Sequence, residues 1–119
     1  MITPLGRILI YTKKIPEMTE FYCRYFGFEC KQLPGDRIVE LRPQTTGCTL
    51  LLHPASKSQK EGQSLVKLVF DVEDVEAFCR SSESLGLEFG AIRHADGYIF
   101  ANTKDPSKNS ISISSRAFS

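Results

Sequence analysis

An internal repeat of one βα unit dictates the architecture of this chain. Residues 67–86, KLVFDVEDVEAFCRSSESLG, have the pattern of a short apolar strand, an acidic turn and an amphipathic helix closed by glycine. The stretch that starts at Arg7, RILIYTKKIPEMTEFYCRYFG, has the same layout. Two similar modules side by side create a groove, and grooves are common binding sites. Side chains that line this groove are therefore the first candidates for function.

The first half of the chain predicts the order βαβββ. Arg7 to Thr12 forms a β-branched strand, and Pro16 suits the first turn of a helix that runs to about Phe26. Gly27 can adopt the left-handed conformation that ends such a helix. Turns rich in proline and glycine separate three further predicted strands, at residues 28–33, 37–41 and 48–53.

The second half repeats this order after residues 54–64 (PASKSQKEGQS), a polar stretch that we interpret as a linker. It predicts a helix at about residues 73–85 closed by Gly86, a turn at residues 94–97, and strands at residues 65–71, 87–93, 98–103 and 110–115. The last strand, SISISS, alternates strictly, so Ile111 and Ile113 should pack under the helix while the serines face the groove. We expect one domain over residues 1–119, with modules at about 5–53 and 65–116.

Composition indicates an ordinary folded protein. Hydrophobic residues make up 41% of the 119 residues and the formal net charge is +1, without any block of like charges, which argues against nucleic-acid binding. The apolar runs are strand-sized and the N-terminus lacks the pattern of a signal peptide, so no membrane partner and a cytoplasmic location are expected. The four cysteines show no CxxC spacing and are interpreted as buried free thiols.

Several short motifs, and the order in which they occur along the chain, resemble the vicinal oxygen chelate superfamily. This superfamily includes glyoxalase I, bleomycin resistance proteins and extradiol dioxygenases. The motifs are Phe21-Tyr22 in the first helix, Leu85-Gly86 at the end of the second, and Asp105-Pro106 with Asn109 before the last strand. The resemblance covers about residues 6–115. It implies an α+β fold in which two βαβββ modules form a half-open mixed β-barrel around a cleft, and it implies a homodimer.

The metal site of this superfamily is where the chain departs from the pattern. Enzymatic members place a His at the start of the first strand of each module and a Glu in the final strand, where they hold a divalent ion. By resemblance these positions fall on Arg7, on Lys67 (or Val66 if the register shifts by one) and on Ser112. A guanidinium and an ammonium have no lone pair for a metal. We therefore predict no metal, no other cofactor and no metal-dependent lyase or dioxygenase chemistry.

Other catalytic arrangements receive little support from the sequence. His53 ends a strand and His94 lies in a predicted turn, so both are interpreted as rim histidines rather than as metal ligands or as an acid–base pair. The carboxylates of Glu40, Asp71 and Glu88 lie singly on strands. The serines of SISISS lack recognisable His and Asp partners, and no glycine-rich phosphate loop is present. No catalytic residue is predicted.

The remaining candidate site is a ligand-binding cleft. Arg7 and Lys67 would both point into the groove as a grip for an anion, with Ser112 as a nearby hydroxyl and Tyr11 or Tyr98 as aromatic walls. The alternative is that each cation pairs internally with Asp71 or Glu40 and closes the cleft.

Three classes of function compete on these observations. The first, which we favour, is a metal-free protein that binds or sequesters a small molecule, with an anion preferred over cationic drugs such as bleomycin. The second is an enzyme of the same superfamily, a divalent-metal-dependent lyase or dioxygenase with a relocated metal site. The third is an interaction module whose cleft is vestigial.

Overall fold

The computed structural model describes all 119 residues, Met1–Ser119. The chain divides into two compact units, residues 1–61 and 62–119. Each unit contains one helix and one four-stranded mixed sheet, so the fold is α+β and both modules have the predicted order βαβββ. No helix has the length and apolar character needed to cross a membrane.

The first unit is built on a sheet of order β1-β4-β3-β2. Its elements are β1 (Arg7–Thr12), α1 (Ile15–Phe26), β2 (Glu29–Lys31), β3 (Val39–Arg42) and β4 (Thr49–Pro54). Strand β1 pairs in parallel with β4, and the other two pairings are antiparallel. Helix α1 packs on one face of this sheet, so the other face is left uncovered within the unit.

The core of the first unit lies between α1 and the sheet. The buried side of the helix carries Met18, Phe21 and Tyr22, as its apolar spacing predicts. The sheet contributes Leu41 and Leu52, which have no exposed surface. Helix α1 ends at Gly27, which adopts φ 71° and donates its N–H to the Tyr22 carbonyl, so the predicted glycine cap is confirmed.

The second unit repeats the arrangement with a sheet of order β5-β8-β7-β6. Its elements are β5 (Lys67–Asp71), α2 (Val75–Ser84), β6 (Arg93–Ala95), β7 (Tyr98–Lys104) and β8 (Ser110–Ser114), and a 3₁₀ turn follows at Arg116–Phe118. Strand β5 pairs in parallel with β8, as β1 does with β4. Ile111 and Ile113 are fully buried, as the alternation in SISISS predicts.

Helix α2 has well-defined ends. Asp74 precedes it, and its side chain accepts the Ala77 N–H at 3.0 Å. At the other end Gly86 (φ 103°) donates its N–H to the Glu83 carbonyl, and the Leu87 N–H reaches Ser82. This pattern is a Schellman motif and confirms the role predicted for Gly86. Leu85, which the apolar spacing places on the buried face, is instead 46% exposed.

The predicted boundaries of the strand and the turn within residues 87–97 are wrong. The sequence predicts a strand at residues 87–93 and a turn at 94–97, whereas β6 spans Arg93–Ala95 and includes His94. Residues 87–92 run beside β7 without a ladder of backbone hydrogen bonds. Only the Gly90 N–H, which donates to the Asn102 carbonyl at 2.8 Å, and the Thr103 hydroxyl, which donates to the Glu88 carbonyl at 3.0 Å, join the two segments.

The polar segment after β4 contains the boundary between the two units, which follows residue 61. Residues 55–66 form neither helix nor strand, and residues 56–60 are exposed. Two contacts tie the segment to the start of α1. The Lys13 ammonium donates to the Lys57 carbonyl at 3.2 Å, and Lys14 lies 3.8 Å from the Glu61 carboxylate.

Candidate functional site

The cations predicted for the cleft occupy equivalent positions in the two units. Arg7 is the first residue of β1 and lies opposite Thr49 of the parallel strand β4. Lys67 is the first residue of β5 and lies opposite Ser110 of the parallel strand β8. The structure therefore supports Lys67, rather than Val66, as the counterpart of Arg7.

In the first unit, Arg7 and Tyr11 lie on the sheet face that α1 does not cover. Side chains of a strand alternate between its faces, so Arg7, Leu9 and Tyr11 share one face of β1. All three are exposed, whereas Thr12 on the opposite face is buried. Leu9 and Tyr11 retain 40% and 53% of their accessible surface. This face offers apolar area beside a guanidinium.

His53 belongs to the same face of the first unit. It lies opposite Tyr11 in the β1–β4 pairing, and the two rings meet edge to face with centroids 5.3 Å apart. Its Nδ1 is 2.9 Å from the Pro54 carbonyl, which can only accept a hydrogen bond. Nδ1 is therefore the donor in this contact. Sequence reasoning missed this contact because it depends on the register between β1 and β4.

In the second unit, the Lys67 ammonium donates to Oδ1 of Asn102 at 3.0 Å. Asn102 lies on β7, opposite Ser112 of β8. Because β8 runs between β5 and β7, the lysine side chain must cross β8 to make this contact. Sequence reasoning also missed Asn102, which becomes recognisable only through the order of the strands.

Ser112 is only 3% exposed, although its face was expected to look into the groove. Its hydroxyl donates to the Ala101 carbonyl at 3.2 Å. Ser114, two residues further along, is also buried, and its hydroxyl accepts the Arg116 N–H at 3.2 Å. These two serines are therefore buried although they lie on the face of β8 opposite to Ile111 and Ile113, and the proton of the Ser112 hydroxyl is already used within the protein.

Tyr98 is half-buried and is covered on one side by Arg116. The guanidinium lies 5.3 Å from the centre of the tyrosine ring and donates to its hydroxyl at 3.4 Å. The ring of Phe100, two residues along β7, lies 6.2 Å from that of Tyr98. Arg116 is thus a cation beside Tyr98 that the sequence did not predict, because the 3₁₀ turn that carries it was not predicted.

The internal ion pairs of Arg7 and Lys67 with Asp71 or Glu40, considered above as the alternative, are not formed within either unit. Glu40 pairs with Arg42 at 3.2 Å rather than with Arg7. Lys67 pairs with the neutral amide of Asn102 rather than with Asp71. The Arg7 side chain forms no ion pair or hydrogen bond inside the first unit. Neither cation therefore has an acidic partner from its own sheet.

The residues at the family's ligand positions do not fit a divalent metal ion. An ammonium and a guanidinium offer no lone pair, and the Ser112 hydroxyl is neutral. No group of three or more His, Cys, Asp or Glu side chains has an arrangement that holds a metal elsewhere in the chain. A relocated metal site is therefore not visible among the usual ligands.

All four cysteines are free thiols, but they are less buried than predicted. Cys23, Cys48 and Cys79 are half-buried, and Cys30 is exposed because the short edge strand β2 is exposed along its length. Burial raises the pKa of the Cys23 thiol, and the neighbouring Cys30 raises it further. Burial likewise raises the pKa of Cys79, with a smaller contribution from Glu76. Neither thiol has the lowered pKa of a reactive nucleophile.

Comparison with known proteins identifies one family. The model of the Glyoxalase/Bleomycin resistance protein/Dioxygenase superfamily matches residues 5–113. A search among curated proteins found no match.

Solved structures share the fold at low sequence identity. TnmS3, an antibiotic binding protein from Streptomyces sp. CB03234, is 19% identical with a TM-score of 0.78, over 94% of each chain. A lactoylglutathione lyase from Agrobacterium tumefaciens is 19% identical with a TM-score of 0.73, over 95% of this chain and 93% of that one. A superfamily member from Sphaerobacter thermophilus DSM 20745 is 17% identical with a TM-score of 0.75, over 95% and 97%. At these identities the likeness concerns the fold.

Proposed function

Because the chain belongs to the Glyoxalase/Bleomycin resistance protein/Dioxygenase superfamily, we propose that it binds or sequesters a small anionic molecule without using a metal ion. The observation that carries this proposal is the pair of cations at equivalent strand starts. Arg7 and Lys67 stand where the superfamily pattern implies metal-binding histidines, and neither is neutralised by an acidic residue of its own sheet. TnmS3 is described as an antibiotic binding protein, so a binding role has a precedent within this fold.

The surroundings of the two cations favour a ligand that has an apolar body. Leu9 and Tyr11 follow Arg7 on the uncovered face of β1, and Val69, which is 56% exposed, follows Lys67 on β5. Burial of such side chains contributes about 25 cal/mol for each Å² of apolar surface removed from water. We propose Arg7, Lys67, Tyr11 and Tyr98 as ligand-binding residues. Ser112, which was predicted to join them, is buried and donates its hydroxyl proton to the Ala101 carbonyl, so it has no donor to offer an anion.

The acidic side chains nearby do not cancel this preference. Asp71 is on the same face of β5 as Lys67, but four residues further along the strand, which is about 13 Å. The Glu40 carboxylate is engaged by Arg42. An anion at the start of β5 therefore meets the ammonium first, whereas a cationic ligand there would be repelled.

The alternative function is that of a divalent-metal-dependent lyase or dioxygenase of the same superfamily. It requires a stoichiometric metal ion held by residues other than Arg7, Lys67 and Ser112. The donor chemistry at those three positions disfavours it, because none of the three side chains is a usual ligand of a divalent ion.

Three small aromatic molecules of similar shape, one anionic, one neutral and one cationic, test the proposal. Chelator-treated protein is titrated by calorimetry with 2-naphthoate, with neutral 2-naphthalenemethanol and with 2-naphthylmethylammonium. We expect the carboxylate to bind at least about tenfold more tightly than the cation, since a charge-assisted hydrogen bond contributes about 1.5–3 kcal/mol. Equal binding of the three probes, tighter binding of the cation, or no binding of the carboxylate would overturn the proposal.

The proposal also includes a homodimer in the cytoplasm. The dimer is an implication of the family resemblance, and light scattering of the purified protein measures it directly. The four free thiols, one of them exposed, fit a reducing compartment. Fractionation of cells that express the protein tests the location.

A further inference from the structure

The contact between Lys67 and Asn102 fixes the orientation of the Asn102 amide. A lysine ammonium is a hydrogen-bond donor without acceptor capacity, so the atom that lies 3.0 Å from it must be the carbonyl oxygen Oδ1. The amide nitrogen Nδ2 therefore points away from Lys67 with both of its hydrogens. Within the second unit no acceptor receives a hydrogen bond from Nδ2, and Asn102 is only half-buried.

Two donor groups therefore flank Oδ1 of Asn102, on the sheet face opposite to the one that carries Ile111 and Ile113. One is the Lys67 ammonium, which uses a single hydrogen on Oδ1 and retains two. The other is the Asn102 Nδ2 group, which belongs to the same amide. The Ser112 hydroxyl beneath them donates to the Ala101 carbonyl and adds no competing donor. A ligand that meets this surface must supply acceptors.

The position in the first unit that corresponds to Asn102 carries a carboxylate instead of an amide. Glu40 lies opposite Leu51 in the β3–β4 pairing, just as Asn102 lies opposite Ser112 in the β7–β8 pairing. The Glu40 carboxylate is an acceptor and binds Arg42 at 3.2 Å. A carboxylate placed beside Glu40 would be repelled, so the donor pair is particular to the second unit.

We propose that Lys67 and Asn102 form a two-donor site for the carboxylate group of a small carboxylic acid with an apolar body, and that Asn102 is a ligand-binding residue. One carboxylate oxygen accepts from the ammonium and the other from Nδ2. The apolar body lies along Val69, 56% exposed on the same face of β5, and Phe100, half-buried on the same face of β7. This inference rests on the proposed function and narrows its ligand class.

The test compares three variants by titration with 2-naphthoate. Asn102→Asp keeps an acceptor for Lys67 but replaces the Nδ2 donor with a negative oxygen, so we expect a loss of affinity of roughly tenfold to a hundredfold. Asn102→Ala removes the donor without adding charge and should lose several-fold. Lys67→Ala should lose about tenfold or more. Affinity for neutral 2-naphthalenemethanol should change by less than about twofold in all three variants.

Two control variants carry the same changes in charge elsewhere. Arg80→Ala removes a cation from the exposed side of α2, and Gln63→Glu adds an anion in the exposed segment before β5. Both should bind 2-naphthoate as the unsubstituted protein does, and thermal unfolding verifies that every variant is folded.

The outcomes separate the two proposals. If Lys67→Ala weakens 2-naphthoate binding while both Asn102 variants bind it normally, the two-donor site is wrong and the proposed function stands. If the unsubstituted protein does not bind 2-naphthoate, the proposed function fails, and the site fails with it. Equal losses for 2-naphthoate and the neutral alcohol in the Asn102 variants would show that Asn102 acts through packing and would also overturn the site.

Discussion

At the residue scale, this protein differs from the metal-binding pattern of its superfamily by a few side chains. The family pattern was sufficient to predict Arg7 and Lys67 at the first residues of β1 and β5, because turns fix where those strands start, but it did not predict that Ser112 is buried. It was not sufficient to identify Asn102 or His53 as their neighbours. Those contacts depend on side chains that meet across two or three strands, and a single sequence does not specify that register.

Asp105 is the residue whose loss should destabilise the second unit most clearly. It is 4% exposed, and its Oδ1 accepts the backbone N–H groups of Ser107 and Asn109 while Oδ2 accepts Nδ2 of Asn109. We expect Asp105→Ala to lower the free energy of unfolding by about 2–3 kcal/mol. Asp105→Asn retains one carbonyl oxygen for the backbone groups and should cost less. Urea denaturation measures both.

The control for this prediction is Glu73→Ala, which removes an exposed carboxylate before α2 and should change stability by less than about 0.5 kcal/mol. A loss for Asp105→Ala no larger than that of the control would contradict the role assigned to the Asp105 turn.

The raised thiol pKa values predict how the alkylation rates of the cysteines depend on pH. The thiolate is the form that alkylates, and a raised pKa lowers the thiolate fraction at any pH below it. Exposed Cys30 should therefore react with iodoacetamide before Cys23 and Cys79, whose pKa values burial raises. Raising the pH from 7 to 9 should accelerate the reaction of Cys23 and Cys79, because it raises the thiolate fraction of both.

Mass spectrometry of peptides over a time course gives these rates. In urea the three cysteines should react alike, which serves as the control. Faster alkylation of Cys79 than of Cys30 in the folded protein would contradict the prediction.

At the scale of elements, the sequence predicted helices and their ends better than short strands. The apolar spacing of both helices and the glycines that end them are local signals, so α1 and α2 were placed within two residues at each end. Strand β6 was misplaced because the predicted strand at residues 87–93 contains Gly90, which weakens a strand, and because the pairing with β7 decides which residues form a regular ladder. The burial of Ser112 could not be predicted from the local sequence either, because it depends on side chains from other strands.

Gly27 provides a test at this scale. Its φ of 71° is left-handed, a conformation that costs a residue with a Cβ roughly 1–2 kcal/mol. The added Cβ would meet only Nε2 of Gln44, at 3.7 Å, so conformation rather than crowding should determine the result. We expect Gly27→Ala to lower the free energy of unfolding by about 1 kcal/mol in urea denaturation.

Gly6→Ala is the matched control, because no atom lies within 4 Å of its added Cβ and its φ is outside the left-handed region. It should leave stability unchanged or raise it slightly. Equal effects of the two substitutions would show that the Gly27 cap does not require a left-handed residue.

At the scale of the whole molecule, the repeat explains both the fold and the kind of site. Each unit builds the same sheet from the same order of elements, so the first strand of each places one cation at an equivalent position. The units then diverge: the first carries Tyr11 beside His53, and the second carries Lys67 beside Asn102. The proposed anionic ligand relies on this divergence, because only the second unit places an amide donor beside its cation.

The central claim is that binding needs no metal ion, and one measurement addresses it directly. The affinity of chelator-treated protein for 2-naphthoate is determined by calorimetry, and the titration is repeated after dialysis against Zn²⁺, Ni²⁺, Mn²⁺ or Fe²⁺, with bound metal quantified by mass spectrometry. We predict the same affinity within about twofold in every case, with no stoichiometric metal. Binding of 2-naphthoate that appears only when one metal ion per chain is bound would contradict the claim and favour the lyase or dioxygenase alternative.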